Sequence, residues 1–240
     1  MSSEPLIRIK GLKKYYAAES GFLRRLLGRE DQVKAVDNVN LTVDSGETLG
    51  VIGESGSGKS TLIETLLRLE DPTAGEIIFD GENVCEYSNK ELRAFRERAQ
   101  IIFQDPYETL NPQKTVRQAI AEPLKNFRDL DHSELTERIH ATLSDVGLNP
   151  PEEYIDLFPE QLSGGERQRV CIGRAIVLDP DLLVADEPLS MLDVSLQSGI
   201  LRLLDRLQEE NGFAMLYVTH NLSVVRLVAE RIDGSVLGHV

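Results

Sequence analysis

The sequence predicts an α/β fold: a mainly parallel sheet, an N-terminal antiparallel β subdomain and an inserted helical lobe. Three observations predict it. The run Gly53-Glu54-Ser55-Gly56-Ser57-Gly58-Lys59-Ser60 follows a short apolar stretch, Thr48-Leu49-Gly50-Val51-Ile52, and opens a helical apolar pattern at Thr61. That strand, loop, helix order is the context a phosphate-binding loop requires. A second apolar run, Leu182-Leu183-Val184-Ala185, ends in Asp186 and Glu187, as a buried parallel strand does when it delivers carboxylates to the ligand-binding edge of a sheet. Between the two, residues 116–146 follow helical periodicity and read as a separate lobe. The expected core is residues 1–104 and 179–240, and the expected lobe is residues 105–178.

The loop chemistry suits a triphosphate. Glycines let the backbone approach the anion, and successive N–H groups with the positive end of the next helix form a cradle. Lys59 offers a mobile cation to the β- and γ-phosphates, and the Ser60 hydroxyl is a magnesium ligand. A Gly/Ser-rich connector before a chance Lys-Ser pair would lack these flanks.

No apolar run approaches the length of about eighteen residues that a membrane span needs, and no signal pattern opens the chain, which predicts a soluble, intracellular protein. Cys85 and Cys171 lack metal-ligand spacing and are expected to be reduced core residues. The formal net charge of -14 argues against a general nucleic-acid binder, which needs a basic footprint. Arg greatly outnumbers Lys. The chain reads as an acidic cytosolic enzyme or as one adapted to a salty cytoplasm, where screening removes the self-repulsion of carboxylates.

Taken in order, residues 6–12 alternate into a strand with Tyr15 and Tyr16 at its end, and one of the two aromatics could stack on a purine or simply end the strand. Residues 17–32 interrupt the pattern with a basic amphipathic piece, Gly21-Phe22-Leu23-Arg24-Arg25-Leu26-Leu27-Gly28, read as a surface loop rather than a membrane or partner contact. Residues 33–43 alternate again as part of an antiparallel hairpin feeding the central strand. Asp71-Pro72-Thr73-Ala74-Gly75 and Asp80-Gly81 are turns around a strand at 76–79. Residues 88–98 are a helix with Ser88 as cap, and Ile101-Ile102-Phe103 a buried strand ending at Gln104. The stretch 105–112 carries so many turn formers that it reads as loop. Ser133 and Glu137 lie near a helix start in the lobe, and Pro150-Pro151 breaks the helical run. Ser163-Gly164-Gly165 opens a helix to about residue 178 and offers a second anion site of N–H groups and helix dipole. Asp186 suits magnesium and Glu187 a general base, although paired acids at a strand end also cap helices. Residues 193–211 form an amphipathic helix, residues 213–219 a strand, and His220 ends that strand where Asp186 and Glu187 end theirs.

With these motifs in this order, the chain closely resembles the nucleotide-binding subunit of ATP-binding-cassette (ABC) transporters over residues 5–240. The resemblance implies a P-loop NTPase core in a single cassette that binds ATP and Mg2+. It puts the Q-loop glutamine at Gln104, the signature at Leu162-Ser163-Gly164-Gly165-Glu166, the Walker B acid at Asp186, the catalytic glutamate at Glu187, the D-loop aspartate at Asp193, the switch histidine at His220 and the adenine-stacking aromatic at Tyr16. Magnesium would be held by Ser60, Gln104 and Asp186. Gln104-Asp105-Pro106-Tyr107-Glu108-Thr109-Leu110-Asn111-Pro112 and the insert after Tyr16 look like the oligopeptide, dipeptide and nickel importer group, and like the second of its two ATPases. Met191 stands where alanine is usual and Asn221 where aspartate is common; neither removes a group that touches phosphate in the family.

That resemblance implies a head-to-tail dimer with a second ABC ATPase subunit, two membrane permeases, an extracytoplasmic solute-binding protein and no nucleic acid. It places the subunit on the cytoplasmic face of the membrane, held there by the permeases. An importer of nickel or another small solute, and a soluble ABC ATPase of DNA repair or translation, are the alternatives; the latter usually carry coiled-coil or zinc inserts or a second cassette, which this sequence lacks. A purely regulatory module would be expected to have lost a catalytic acid, and both are present. Relatives in this importer group continue further, so the C-terminal end is expected to be truncated, with a frayed last strand over residues 232–240.

Overall fold

The computed structural model describes residues 4–17 and 32–233. The amphipathic piece at 21–28 and the chain end beyond Asp233 therefore lie outside the described residues. Two units divide the chain: Met1–Arg93 with Val218–Val240, and Ala94–Tyr217.

In the first unit, β1 (Ile7–Ala17) pairs antiparallel with β2 (Gln32–Val43) on one side and with β4 (Ala74–Phe79) on the other, and β5 (Glu82–Asn83) continues from β4. Alternation explains the pairing face: Ile7, Ile9 and Leu12 are buried against Val36, Val39, Leu41 and Val43 while the residues between them face water. Val33, read as part of that apolar set, is instead exposed. The strand expected at 6–12 runs on through both tyrosines, with register shifts between Ile9 and Tyr15.

β3 (Thr48–Ile52) runs parallel to β9 (Arg231–Asp233). Arg231 ties the pair down, donating from Nε to the Glu47 carboxylate at 2.7 Å. Helix α1 (Lys59–Leu66) follows β3 through the glycine-rich loop and buries Leu62, Ile63 and Leu66.

Helix α2 (Asn89–Arg98) begins at Ser88, whose hydroxyl and amide both donate to Glu91. In the second unit, β6 (Ala99–Ile102) lies parallel to β7 (Leu182–Asp186), and β8 (Ala214–Thr219) begins there and ends in the first unit. Every residue of β7 and β8 is buried, the reason both read as continuous apolar runs rather than alternating ones. β6 stops one residue earlier than expected, and Phe103 is exposed.

Asp105 to Pro112, expected to be loop, contains a short helix, α3 (Pro106–Thr109). Its turn formers are helix-start residues: Asp105 caps by accepting from the Tyr107 amide at 2.7 Å, and Pro106 takes the first helical position, where its missing N–H costs nothing. The lobe then follows as α4 (Val116–Phe127), α5 (His132–Asp145) and α6 (Pro151–Tyr154). The cap of α5 is Asp131, which accepts from Ser133 and Glu134, so Ser133 sits inside the first turn. Helices α7 (Gly164–Ile176) and α8 (Val194–Asn211) flank β7 in sequence. At the end of α7, Arg138 donates twice to the Val177 carbonyl at 3.0 and 3.1 Å and reaches Asp179, while Arg128 bonds the Leu178 carbonyl, Asp179 and Glu97. Two arginines thus close the helix C-terminus where its carbonyls lack partners.

Candidate functional site

In the first unit the loop after β3 is shaped for an anion. Gly56 and Gly58 adopt left-handed φ values of 81° and 89°, which only glycine takes without strain. Gly58 is required twice over, since a Cβ there would lie 1.9 Å from the Ala35 carbonyl oxygen. Gly58 is also the N-cap of α1 and has no side chain to cap it, and the positive end of a helix favours an anion. A Cβ at Gly56 would meet nothing within 4 Å, so the open side of the loop is there. Lys59 is buried and folds across the loop, its Nζ donating to the carbonyls of Gly53 and Glu54 at 2.7 Å each. Its ammonium is thereby held at the rim of the cradle. Ser60 is exposed and Thr61 half-buried in the first turn. These groups fit a nucleotide phosphate with its magnesium.

Tyr16 belongs to the same surface. Its cross-strand partner is Val33, two residues before Ala35, whose carbonyl abuts Gly58. The structure separates the two tyrosines. The Tyr15 hydroxyl bonds Asp37, with Lys34 over its ring, whereas Tyr16 is the exposed one, 37% accessible, with Lys14 over its ring at 5.0 Å. Of the two rings it is the more accessible. His220 is exposed at the end of β8 and in this unit. Asn221 beside it caps the following helix, α9 (Leu222–Val228), accepting from the amides of Ser223 and Val224 at 3.0 and 3.4 Å. The departure from aspartate is therefore accounted for by a side chain that caps equally well.

The second unit brings Gln104, Ser163-Gly164-Gly165, Asp186, Glu187 and Asp193 to the ends of its own elements. Asp186 is the last residue of β7 and only 7% accessible. Glu187 leaves the strand with φ at 44°, a conformation costly for a residue with a Cβ and concentrated at functional sites. A turn holds it, because its carbonyl accepts from the amide and hydroxyl of Ser190 at 3.1 and 3.0 Å. Burial pushes the Tyr217 phenol far above its ordinary range, and the negative charge of Glu187 adds to this. Gln104 is exposed just beyond β6. Asp193 is the exposed N-cap of α8 and makes no side-chain capping bond.

The signature segment is less open than expected. Ser163 caps α7, and its amide and hydroxyl donate to Glu166 at 2.8 and 2.6 Å. Those bonds hold the Glu166 carboxyl below its usual range. The donors left at this helix start are the amides of Gly164 and Gly165. Leu110 is buried and so serves the fold, while Tyr107 is 57% accessible. Sequence reasoning missed its partner: the Arg167 guanidinium lies 4.4 Å from the Tyr107 ring centre. A cavity of about 220 Å³ is lined in part by Phe103, Thr109, Glu122, Phe127 and Arg174. Cys171 on its wall has its thiol pushed up to about 12 by burial. Cys171 is buried as expected and Cys85 only half-buried, and both are free thiols.

Among the described residues no helix is long and apolar enough to cross a membrane. The family model described as ABC transporter matches residues 36–190. The oligopeptide transport ATP-binding protein AppF of Bacillus subtilis is 42% identical over 99% of this chain and 71% of its own length. The dipeptide transport ATP-binding protein DppF of Haemophilus influenzae is 42% identical over 98% of this chain and 70% of its own. Among solved structures, the ATP-binding cassette MJ0796 in a dimeric post-hydrolysis state bound to ADP and Pi superposes with a TM-score of 0.80 at 32% identity, covering 94% of this chain and 92% of that one.

Proposed function

The chain belongs to the ABC transporter family of ATP-hydrolysing cassettes, and from that premise we propose that it energises the uptake of oligopeptides or dipeptides as one of two ATPases in an importer. The observation that carries this reading is the 42% identity to AppF and DppF over nearly the whole chain. The dimeric state of the MJ0796 cassette supports a paired arrangement.

In this reading Tyr16 stacks on the adenine, and the loop amides with Lys59 hold the phosphates. Magnesium supplies charge neutralisation on the phosphates; Ser60, Asp186 and Gln104 would hold it, since they offer the oxygen donors this ion takes. Glu187 accepts a hydrogen bond from the attacking water, orients it and polarises it. His220 donates to the γ-phosphate oxygens, where negative charge must be matched. The amides of Gly164 and Gly165 serve the nucleotide of the partner cassette rather than their own, and Asp193 lines the surface between the two. The Q-loop stretch, with Tyr107 exposed and the cavity beside Thr109 and Arg174, meets a cytoplasmic segment of a permease and so keeps the subunit at the membrane. A solute-binding protein outside the membrane completes the assembly.

Co-expression with the two permeases and the second ATPase that this reading assigns to it, followed by reconstitution in liposomes, tests this directly. Labelled di- and oligopeptides are expected to accumulate only with ATP and the solute-binding protein present. Uptake of nickel but of no peptide would overturn the peptide reading.

A further inference from the structure

Helix α7 grips the short helix α3 at two places on one face. Arg167 and Arg174 are seven residues apart, two turns, and so lie in line roughly 10 Å from one another. At the first place the Arg167 guanidinium stacks on Tyr107, 4.4 Å from the ring centre. Its Nε donates to the Pro159 carbonyl at 2.6 Å, which fixes the plane of the guanidinium against the ring. At the second, Arg174 donates from Nη1 to the Thr109 carbonyl at 3.3 Å, the last carbonyl of α3 and the negative end of its dipole. The Tyr107 hydroxyl comes back to the start of α7, where it would lie 3.9 Å from a Cβ on Gly164. Asp105, the cap of α3, follows Gln104 directly.

We propose that this two-point clasp makes α3 and the signature end of α7 move as one body, with Tyr107 and Arg167 as positioning residues that carry displacement of the stretch after Gln104 to Ser163-Gly164-Gly165. Two fixed points along one helix face resist both sliding and rotation, where a single contact would permit either. A load applied to α3 therefore reorients the amides of Gly164 and Gly165 instead of being absorbed in a loop. Resting on the importer reading, this gives the exposed Tyr107 a role that differs from anchoring a partner: its ring face is turned to Arg167.

The clasp is measured on the full chain alone by amide hydrogen exchange. Tyr107→Ala is expected to speed exchange at residues 167–170, the first hydrogen-bonded amides of α7, by about tenfold while β7 stays at the wild-type rate, and Tyr107→Phe, which keeps the ring face, should match wild type. Wild-type exchange at 167–170 in Tyr107→Ala would overturn the clasp. Its use in coupling is measured in the reconstituted importer. Tyr107→Ala and Arg167→Ala should each lower peptide-stimulated ATP turnover about tenfold, with the ATP KM within about twofold, and the double variant should fall no further than the worse single. Losses that multiply in the double variant would overturn transmission through this pair. A wild-type importer that takes up no peptide would defeat the importer reading, and the exchange comparison would still decide the clasp.

Discussion

Glu166 holds both the amide and the hydroxyl of Ser163, so a single carboxylate decides how the signature helix begins. Its folded pKa is depressed, chiefly by the Ser163 hydroxyl. A depressed carboxylate contributes stability that is full above its unfolded pKa and lost as pH falls through the folded value. Thermal melts of wild type and Glu166→Gln across acid pH should therefore converge below the ordinary carboxylate range and separate above it. Parallel curves down to pH values near 2 would show that the charge of the Glu166 carboxylate contributes nothing. At this scale much of the site was legible, because a buried Asp186 at a strand end and a Gly-rich turn before Lys59 are dictated by chemistry that few other residues supply. The choice between Tyr15 and Tyr16 was not. It depends on Asp37, which lies across the sheet and far off in sequence.

At the scale of elements, β7 and β8 announced themselves as unbroken apolar runs, and their ends fixed where Asp186 and His220 emerge. Helix α3 did not. Asp105 and Pro106 signal a turn and a helix start alike, and the contacts of Arg167 and Arg174 with this segment are far off in sequence. The packing of α9 on β3 was equally silent, since Gly50 reads only as a weak point in a strand. A Cβ on Gly50 would stand 2.2 Å from Val225 Cγ2 and 2.9 Å from Ala229 Cβ, so the glycine marks a close helix approach. Gly50→Ala should cost about 1–3 kcal/mol of unfolding free energy, as overpacking does. Denaturant melts check this: an unchanged midpoint would mean that α9 is free to move away.

For the molecule as a whole, 40 acidic groups against 26 basic ones leave a surplus of negative charge that ion pairs do not consume. Many of the acids that do pair are at the surface, such as Glu210 with Arg206 and Glu76 with Lys10, where a pair contributes little. If the composition reflects a salty cytoplasm, the melting temperature should rise as potassium chloride enters the molar range, because repulsion among carboxylates is screened. A flat or falling curve, after correction for generic salting-out, leaves an ordinary acidic enzyme. Composition carried this reading without any structure, whereas the proposed sharing of a nucleotide between two cassettes rests on the family alone. The central claim, that Glu187 drives hydrolysis in the proposed paired arrangement, is tested most directly by ATP binding and phosphate release measured together on Glu187→Gln in the presence of the second ATPase proposed for it. The substitution keeps shape and hydrogen-bonding reach and removes the charge, so ATP affinity should stay within about threefold while turnover falls by a factor on the order of a hundred or more. Turnover at the wild-type rate would contradict the account and move the base to another residue.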